Sequence, residues 1–166
     1  RVLQPLPPST AKPSLLFVGA LAYRPCEDAV LWLAQQILPL VWRRHPDLEA
    51  WIVGHSPTQA ITRLTDRRIH VTGTVADVTP YYQAAHIAVV PLRAGGGSRL
   101  KILEAMALGR PIVSTTIGAE GLEAVPGTHL AIANDAEGFA AAVVDVLEDF
   151  ERAQRMAVSA REFVEQ

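Results

Sequence analysis

The chain has 166 residues, enough for one domain with a substantial core, since a chain of this size buries about 70% of its unfolded surface. Hydrophobic residues make up 49% of it and charged residues 19%, which excludes disordered, collagen-like and coiled-coil proteins. The 15 basic and 17 acidic side chains give a net charge of -2, whereas nucleic-acid-binding domains carry a basic excess. We therefore expect no nucleic-acid partner.

The cysteine and histidine content narrows the chemistry further. The single cysteine, Cys26, cannot form an internal disulfide, and no cluster of Cys and His has the spacing of a zinc site. We expect no metal and no cofactor. The setting is expected to be reducing and cytoplasmic, with any peripheral contact to the cytoplasmic membrane made by a further domain.

The first 13 residues contain four prolines, spaced so that neither a helix nor a central strand can form. This spacing predicts an extended interdomain linker over residues 1–13, followed by one domain over residues 14–166. We expect a partner domain before the linker.

From Ser14 onward, short apolar runs alternate with amphipathic stretches. The runs are rich in β-branched residues and lack polar alternation, which is typical of strands buried on both faces. They predict strands at 15–18, 50–53, 69–71, 87–90, 112–113 and 130–132. Between them, helices are predicted at 27–41, 77–85, 99–108, 135–148 and 151–164, with a weaker one at 58–64. Pro39 is expected to kink or shorten the first helix, and Asp135 to cap the helix at 135–148.

This alternation predicts a doubly wound, Rossmann-like α/β fold, with a parallel sheet of about six strands and helices on both faces. The expected strand order is 3-2-1-4-5-6, and ligands of such sheets bind beyond the carboxyl ends of the strands. A single glycine after a strand indicates a tight turn. Glycines after four strands at the same edge of the sheet favour close approach of a ligand to the backbone. The glycines at these places are Gly19, Gly54, Gly73 and the run of Gly95, Gly96 and Gly97.

The helix that follows the glycine run has an unusual first turn. Ser98 is predicted to cap this helix and Gly109 to end it. Arg99 and Lys101 put two cations at the positive end of the helix dipole, a conflict that a bound anion would resolve. Arg93 adds a third cation to a stretch that contains no Asp or Glu. The glycines and the free N–H groups of the first turn are suited to surround phosphate oxygens.

Glu104 lies about 7–8 Å further along the same helix axis, an offset that suits a ribose whose two hydroxyls donate to the carboxylate. The alternative is a Lys101–Glu104 ion pair on the helix surface. The segment lacks the Gly-x-x-x-x-Gly-Lys-Ser/Thr pattern of P-loop NTPases. Residues 19–23 lack the Gly-x-Gly-x-x-Gly of dinucleotide-binding dehydrogenases.

These motifs together resemble a known family. They are Phe-Val-Gly at 17–19, Ile-Val-Gly at 52–54, Gly-Thr-Val-Ala-Asp at 73–77, the stretch 96–115 with Lys-Ile-Leu-Glu-Ala-Met-Ala at its centre, and Gly-Ala-Glu-Gly-Leu at 118–122. The chain is similar, over almost its whole length, to the carboxyl-terminal half of a family-4 (group 1) glycosyltransferase of GT-B architecture.

The resemblance implies a domain that binds a nucleotide-diphosphate sugar in a cleft facing an amino-terminal acceptor domain of the same polypeptide. It implies that Glu104 holds the ribose, Thr74 and Val75 the base, and the start of the helix the diphosphate. The implied donor-binding residues are Gly19, Gly54, Thr74, Val75, Gly95, Gly96, Gly97, Ser98, Arg99, Leu100, Lys101 and Glu104. The implied reaction transfers a hexose-type sugar, with retention of anomeric configuration. The catalytic residues are expected in the amino-terminal domain, so this chain alone is predicted to be inactive.

Two places depart from the family pattern. Many members carry a Glu eight residues before the Glu of this helix, facing the donor sugar, and here that position is Gly96. Members also often carry Arg and Lys in the turn after the first strand, where they hold the diphosphate, and this chain has Ala20 and, further on, Arg24 and Cys26. Two alternatives to the transferase stay open. One is a GT-B protein similar to the UDP-sugar epimerases, and the other is a nucleotide-binding module without transfer chemistry.

Overall fold

The computed structural model describes residues 12–96 and 99–166, and of Arg99 only the backbone. It contains a six-stranded sheet in which every pair of neighbouring strands is parallel, in the order β3-β2-β1-β4-β5-β6. The predicted fold class and strand order are confirmed. The strands are β1 (Ser14–Val18), β2 (Glu49–Val53), β3 (Ile69–Val71), β4 (Ile87–Val90), β5 (Ile112–Ser114) and β6 (Ala131–Ile132).

The helices cover both faces of the sheet. Right-handed crossovers place α1 to α3 on one face, because the chain there moves from β1 outward to β3, and place α4 and α5 on the other. Later, α6 packs against α2 on the first face and α7 packs against α5 on the second. None of the described helices is long and apolar enough to cross a membrane. Their bounds are α1 (Arg24–Trp32), α2 (Leu38–Trp42), α3 (Gln59–Thr62), α4 (Thr79–Ala84), α5 (Arg99–Ala107), α6 (Ala136–Glu148) and α7 (Phe150–Glu165).

The central strand β4 shows why the apolar runs lack polar alternation. All four of its residues are at most 4% exposed, because helices cover the sheet on both sides. Most of the residues 1–13 that were predicted as a linker lie outside the described part of the chain. The carbonyl of Pro13 accepts a hydrogen bond from the Glu49 N–H (2.9 Å), so the pairing between β1 and β2 begins one residue before Ser14.

The helix ends follow local sequence signals. Asp135 caps α6 as predicted, its side chain accepting from the Gly138 N–H at 2.6 Å. Gly109 has a φ of +71°. Its N–H donates to the Met106 carbonyl (3.1 Å) while the Arg110 N–H donates to the Ala105 carbonyl (3.0 Å). This is the hydrogen-bond pattern of a Schellman motif, and it confirms the predicted end of α5.

The first long helix does not end at Pro39. A π-helical turn at Leu33–Ile37 joins α1 to α2, and Pro39 lies in the first turn of α2. A wider turn just before the proline suits a residue that has no N–H to donate and whose ring clashes with the preceding turn of an α-helix. The predicted disruption is therefore a local change of pitch.

Candidate functional site at the carboxyl edge of the sheet

The loops after β1 and β2 pack backbone against backbone. The Gly19 N–H donates to the Val53 carbonyl (3.0 Å), and the Leu21 N–H donates to the His55 carbonyl (3.1 Å). A Cβ added to Gly54 would lie 1.7 Å from the carbonyl oxygen of Gly19, so no other residue fits there. The protein's own packing thus accounts for Gly54. Binding of a ligand to Gly19 and Gly54 stays a prediction.

The glycine run is described up to Gly96. Gly97, Ser98 and the side chain of Arg99, which were predicted to bind the diphosphate, lie outside the described residues. Gly95 has a φ of +87°, and a Cβ there would lie 2.7 Å from Cγ of Pro25, so this loop lies against the start of α1. A Cβ on Gly96 would meet no atom of the described residues within 4 Å, and Gly96 is exposed among them.

Arg93 does not join the expected cluster of cations. Its Nε donates to Asp28 Oδ2 at 3.0 Å and its Nη2 to Asp28 Oδ1 at 2.7 Å, a bidentate ion pair. The guanidinium also lies 4.9 Å from the ring centre of Trp32. Arg93 therefore ties the loop after β4 to α1. In this structure its charge is paired with Asp28, 65 positions away, and a contact of Arg93 with an anion stays a prediction.

Lys101 extends over the end of β1. Its Nζ lies 5.6 Å from the centre of the Phe17 ring, and its charge reaches the thiol of Cys26. Burial raises the pKa of that thiol, and the positive charge of Lys101 opposes the shift. In residues 12–96 and 99–166, no ion pair within 4.0 Å joins Lys101 to Glu104 or to another carboxylate. The alternative of a Lys101–Glu104 surface pair is wrong.

Glu104 is held instead by a tyrosine. The hydroxyl of Tyr82, on α4, donates to Glu104 Oε2 at 3.3 Å, and the Tyr82 side chain is only 2% exposed. Burial and the negative charge of Glu104 raise the pKa of the Tyr82 phenol far above its ordinary value of 10. The sequence did not show this bond. The spacing of Val78, Tyr82 and Ala85 on one helix face was the available sign that Tyr82 points inward.

The turn between β3 and α4 carries the two residues predicted to bind the base. Gly73 has a φ of +71°, Thr74 is exposed and Val75 is half-buried against the core. Asp77 Oδ1 then accepts from the Thr79 N–H (2.9 Å) and starts α4. Leu100, in the first turn of α5, is 77% exposed. The structure thus brings Lys101 to the end of β1, and links Glu104 through Tyr82 to the helix that follows the Thr74–Val75 turn.

The opposite edge of the sheet holds a second polar cluster, whose groups are hydrogen-bonded within the protein. Arg110 is 1% exposed and donates to the carbonyls of Ala85 (3.2 Å) and Leu108 (3.4 Å). Burial lowers its pKa to about 10. Nδ1 of His86 accepts from the Ser14 N–H (3.2 Å), and burial, assisted by the charge of Arg110, lowers the pKa of His86.

No group of three or more His, Cys, Asp and Glu side chains in the described part of the chain is arranged to hold a metal ion. Among the described charged side chains of α5 are one ammonium, that of Lys101, and one carboxylate, that of Glu104, and backbone groups lie beside them. This set can bind an anion and, a few ångströms away, a pair of hydroxyl donors.

Comparison with known proteins identifies a family and shared folds. The family model described as "Glycosyl transferases group 1" matches residues 12–149. Glycogen synthase from Mycobacterium tuberculosis is 32% identical over 168 residues, covering 93% of this chain and 39% of the synthase. An uncharacterized 44.6 kDa protein of the cps region of Klebsiella pneumoniae is 27% identical over 162 residues, covering 92% of this chain and 42% of that protein.

Solved structures share the fold at lower identity. HepE from Anabaena, in complex with UDP and glucose, superposes with a TM-score of 0.75 at 19% identity, over 92% of this chain and 43% of that one. The carboxyl-terminal domain of the group 1 glycosyl transferase LpcC from Francisella tularensis gives 0.72 at 17% identity, over 99% of this chain and 94% of that domain.

The chain spans about two fifths of the length of the curated relatives it matches, 42% and 39%. It has the Rossmann-like fold of one GT-B half, as the sheet order and the LpcC domain show. Because the family model matches most of its residues, the chain belongs to the group 1 family of glycosyl transferases.

Proposed function

We propose that this chain is the donor-binding half of a glycosyltransferase and holds a nucleoside-diphosphate sugar at the carboxyl edge of its sheet. The observation that carries the proposal is that α5 presents both Lys101 and Glu104. Among the described residues Lys101 forms no ion pair with a carboxylate, and the Glu104 carboxylate accepts a hydrogen bond from Tyr82. HepE, which shares the fold, was solved with UDP and glucose, and this supports a nucleotide sugar as the ligand.

Each part of the donor has a proposed partner. The diphosphate binds Lys101 and the N–H groups at the start of α5, where the helix dipole favours an anion. The ribose hydroxyls donate to Glu104, and the base lies against Thr74 and Val75. The same edge contributes the backbone of the remaining predicted residues, which are Gly19, Gly54, Gly95, Gly96, Gly97, Ser98, Arg99 and Leu100.

The proposed reaction breaks the bond between the anomeric carbon and the diphosphate oxygen. The bonding electron pair stays on the diphosphate, and a cation beside it stabilises the charge that develops. The sugar, a hexose, passes to an acceptor hydroxyl with retention of configuration, and the hydroxyl proton passes to a base outside this chain. Glu104 is not that base, because the proposal assigns its carboxylate to the ribose.

The acceptor site is proposed to lie on an amino-terminal domain joined through residues 1–13. A donor cleft open on one side does not exclude water, and exclusion of water strengthens the interactions with the leaving group. We therefore expect residues 1–166 to bind donor but to transfer no sugar. Acceptor-dependent transfer by this chain alone, assayed beside the full-length gene product, would contradict the proposal of a half-enzyme.

Donor binding can be tested by titrating isotope-labelled protein with UDP, GDP and ADP while amide chemical shifts are recorded. We expect saturable shifts for residues 73–77 and 95–104, with one base preferred. Inorganic diphosphate serves as the control for charge alone and should affect only the start of α5. Shifts confined to the amino edge, around Ser14 and His86, would refute this placement of the donor.

A further inference from the structure

We propose that Tyr82 is a positioning residue for ribose recognition, and that its phenol fixes the Glu104 carboxylate in the orientation that receives two vicinal hydroxyls. The inference rests on the proposed function, because it takes the ribose as the partner of Glu104. It adds a residue from a different helix, α4, to the donor site.

The phenol of Tyr82 bonds to one of the two oxygens of the Glu104 carboxylate. Tyr82 packs in the core with 2% of its surface exposed, and its hydroxyl reaches Glu104 Oε2 at 3.3 Å. A carboxylate has about four acceptor positions, so one bond from Tyr82 leaves Oε1 and part of Oε2 for a ligand. Without that bond the Glu104 side chain keeps the rotational freedom of its torsions, and a ligand must then order it.

The protonation states suit this role. Burial, the negative charge of Glu104 and the hydrogen bond itself all raise the pKa of the Tyr82 phenol. The Tyr82 hydroxyl therefore keeps its proton, and remains a hydrogen-bond donor, throughout the physiological pH range. A buried phenol with a fixed acceptor is more rigid than a bond between two exposed side chains, because Tyr82 has few alternative rotamers in the packed core.

The position of α4 gives the bond a second consequence. This helix begins at Thr79, shortly after Thr74 and Val75, and Tyr82 is one turn into it. The Tyr82–Glu104 bond thus joins the helix that follows the proposed base site to the helix that carries the ribose acceptor. Orientation of the base and of the ribose should therefore be coupled.

If Tyr82 only stabilised the fold, its loss would not change the preference for ribose over 2′-deoxyribose. The test therefore measures that preference. The variants are Tyr82→Phe and, as a matched control, Tyr81→Phe, in which the adjacent half-buried tyrosine contacts Trp51 (ring centres 6.1 Å apart). The ligands are UDP and 2′-deoxy-UDP, or the corresponding pair for the base that the wild type prefers. Phenylalanine fills the same volume less one oxygen, so Tyr82→Phe is expected to fold, and its melting temperature is recorded.

We expect Tyr82→Phe to weaken UDP binding by about threefold to tenfold, a loss in keeping with the net value of a typical hydrogen bond. Binding of 2′-deoxy-UDP should weaken less, so the ratio of the affinity for UDP to that for 2′-deoxy-UDP should fall. Tyr81→Phe should leave both affinities unchanged. In a Glu104→Gln background, the further change to Tyr82→Phe should not alter the preference, because its effect acts through the carboxylate.

The possible failures are distinct. A wild-type chain that binds no nucleoside diphosphate overturns the proposed function itself. A wild type that prefers UDP over 2′-deoxy-UDP, together with a Tyr82→Phe variant that keeps the full preference, overturns only the positioning role. An equal loss for both ligands, accompanied by a lower melting temperature, assigns Tyr82 to the core alone.

Discussion

Both edges of the sheet carry ionisable side chains, but the partners of these side chains differ. At the amino edge, Arg110 and His86 are buried or half-buried, and both are bonded to groups of the protein itself. At the carboxyl edge, Lys101 and Glu104 lie on the first turns of α5, and of these two only Glu104 has a hydrogen-bond partner among the described side chains. Polar groups with internal partners stabilise the fold, whereas polar groups without them are available to a ligand. The comparison predicts that substitutions at the two edges separate into effects on stability and effects on binding.

The largest effect is expected for Gly54→Ala, where the new methyl group would collide with the Gly19 carbonyl. Loss of the close packing between the loops after β1 and β2 should lower the free energy of unfolding by about 3 kcal/mol or more. Gly96→Ala is the matched control, and it should change that free energy by less than about 0.5 kcal/mol because the space around it is open. Urea unfolding of both variants measures the difference. Similar values for the two would show that the loops after β1 and β2 are not packed as described.

Arg110→Ala is expected to lower the free energy of unfolding by about 2–4 kcal/mol, because it leaves a cavity and deprives the carbonyls of Ala85 and Leu108 of their donor. The substitution also removes the free-energy cost of burying the guanidinium charge, and this offsets part of the loss. At a temperature where the variant is folded, its affinity for a nucleoside diphosphate should equal that of the wild type. The control is the exposed Arg67→Ala; equal stability of the two variants would contradict a structural role for Arg110.

Lys101→Ala should leave stability nearly unchanged and weaken nucleoside diphosphate binding by about tenfold or more, the value of a charge-assisted hydrogen bond. Binding of the bare nucleoside should not change, since it carries no phosphate. The chain contains only one other lysine, the exposed Lys12, and Lys12→Ala serves as the control. Isothermal titration calorimetry of both variants with both ligands is the measurement. Equal losses for nucleoside and diphosphate would argue against a contact with phosphate.

The smallest effect is the pH dependence that His86 contributes to stability. Its pKa in the folded chain is below the ordinary 6.5, so below that value the unfolded chain binds a proton more readily than the folded one. The stabilisation is complete above about pH 6.5 and is lost as the pH falls through the lower folded pKa. Urea unfolding from about pH 7.5 to 5 should show a slope that His86→Gln reduces. The exposed His55→Gln should keep the wild-type slope, and a slope that survives in His86→Gln would assign it to another group.

Local signals predicted the framework, because they act over a few residues. The apolar runs gave the strands, Asp135 and Gly109 marked helix ends, and right-handed crossovers then allowed few sheet orders. The helix with Glu104 was found in the same way. These features can be predicted without knowing which residues distant in sequence come into contact.

The side-chain partners at the site could not be predicted in that way. Tyr82 and Glu104 are 22 positions apart, and Asp28 and Arg93 are 65 apart. Tyr82 and Glu104 meet because α4 and α5 lie on the same face of the sheet, and Asp28 and Arg93 meet because β1 and β4 are neighbouring strands. The glycines show the same limit, since a glycine after a strand looks the same whether it faces a ligand, as was predicted, or a neighbouring carbonyl, as at Gly54.

The π-helical turn at Leu33–Ile37 has a consequence for insertions and deletions in this family. Buried Ala29, Leu33, Ile37 and Val41 recur at intervals of four, and three such steps would drift by about 120° around an ideal α-helix. The π-helical turn contains more residues than an α-helical turn, so it reduces this drift. The helix therefore holds one residue more than an α-helix with the same number of turns. Relatives that lack a proline here can therefore be one residue shorter, at the exposed Gln35 or Gln36, and still present Val41 to the core. An alignment gap at this place would mark a change of helical pitch and not the loss of a contact.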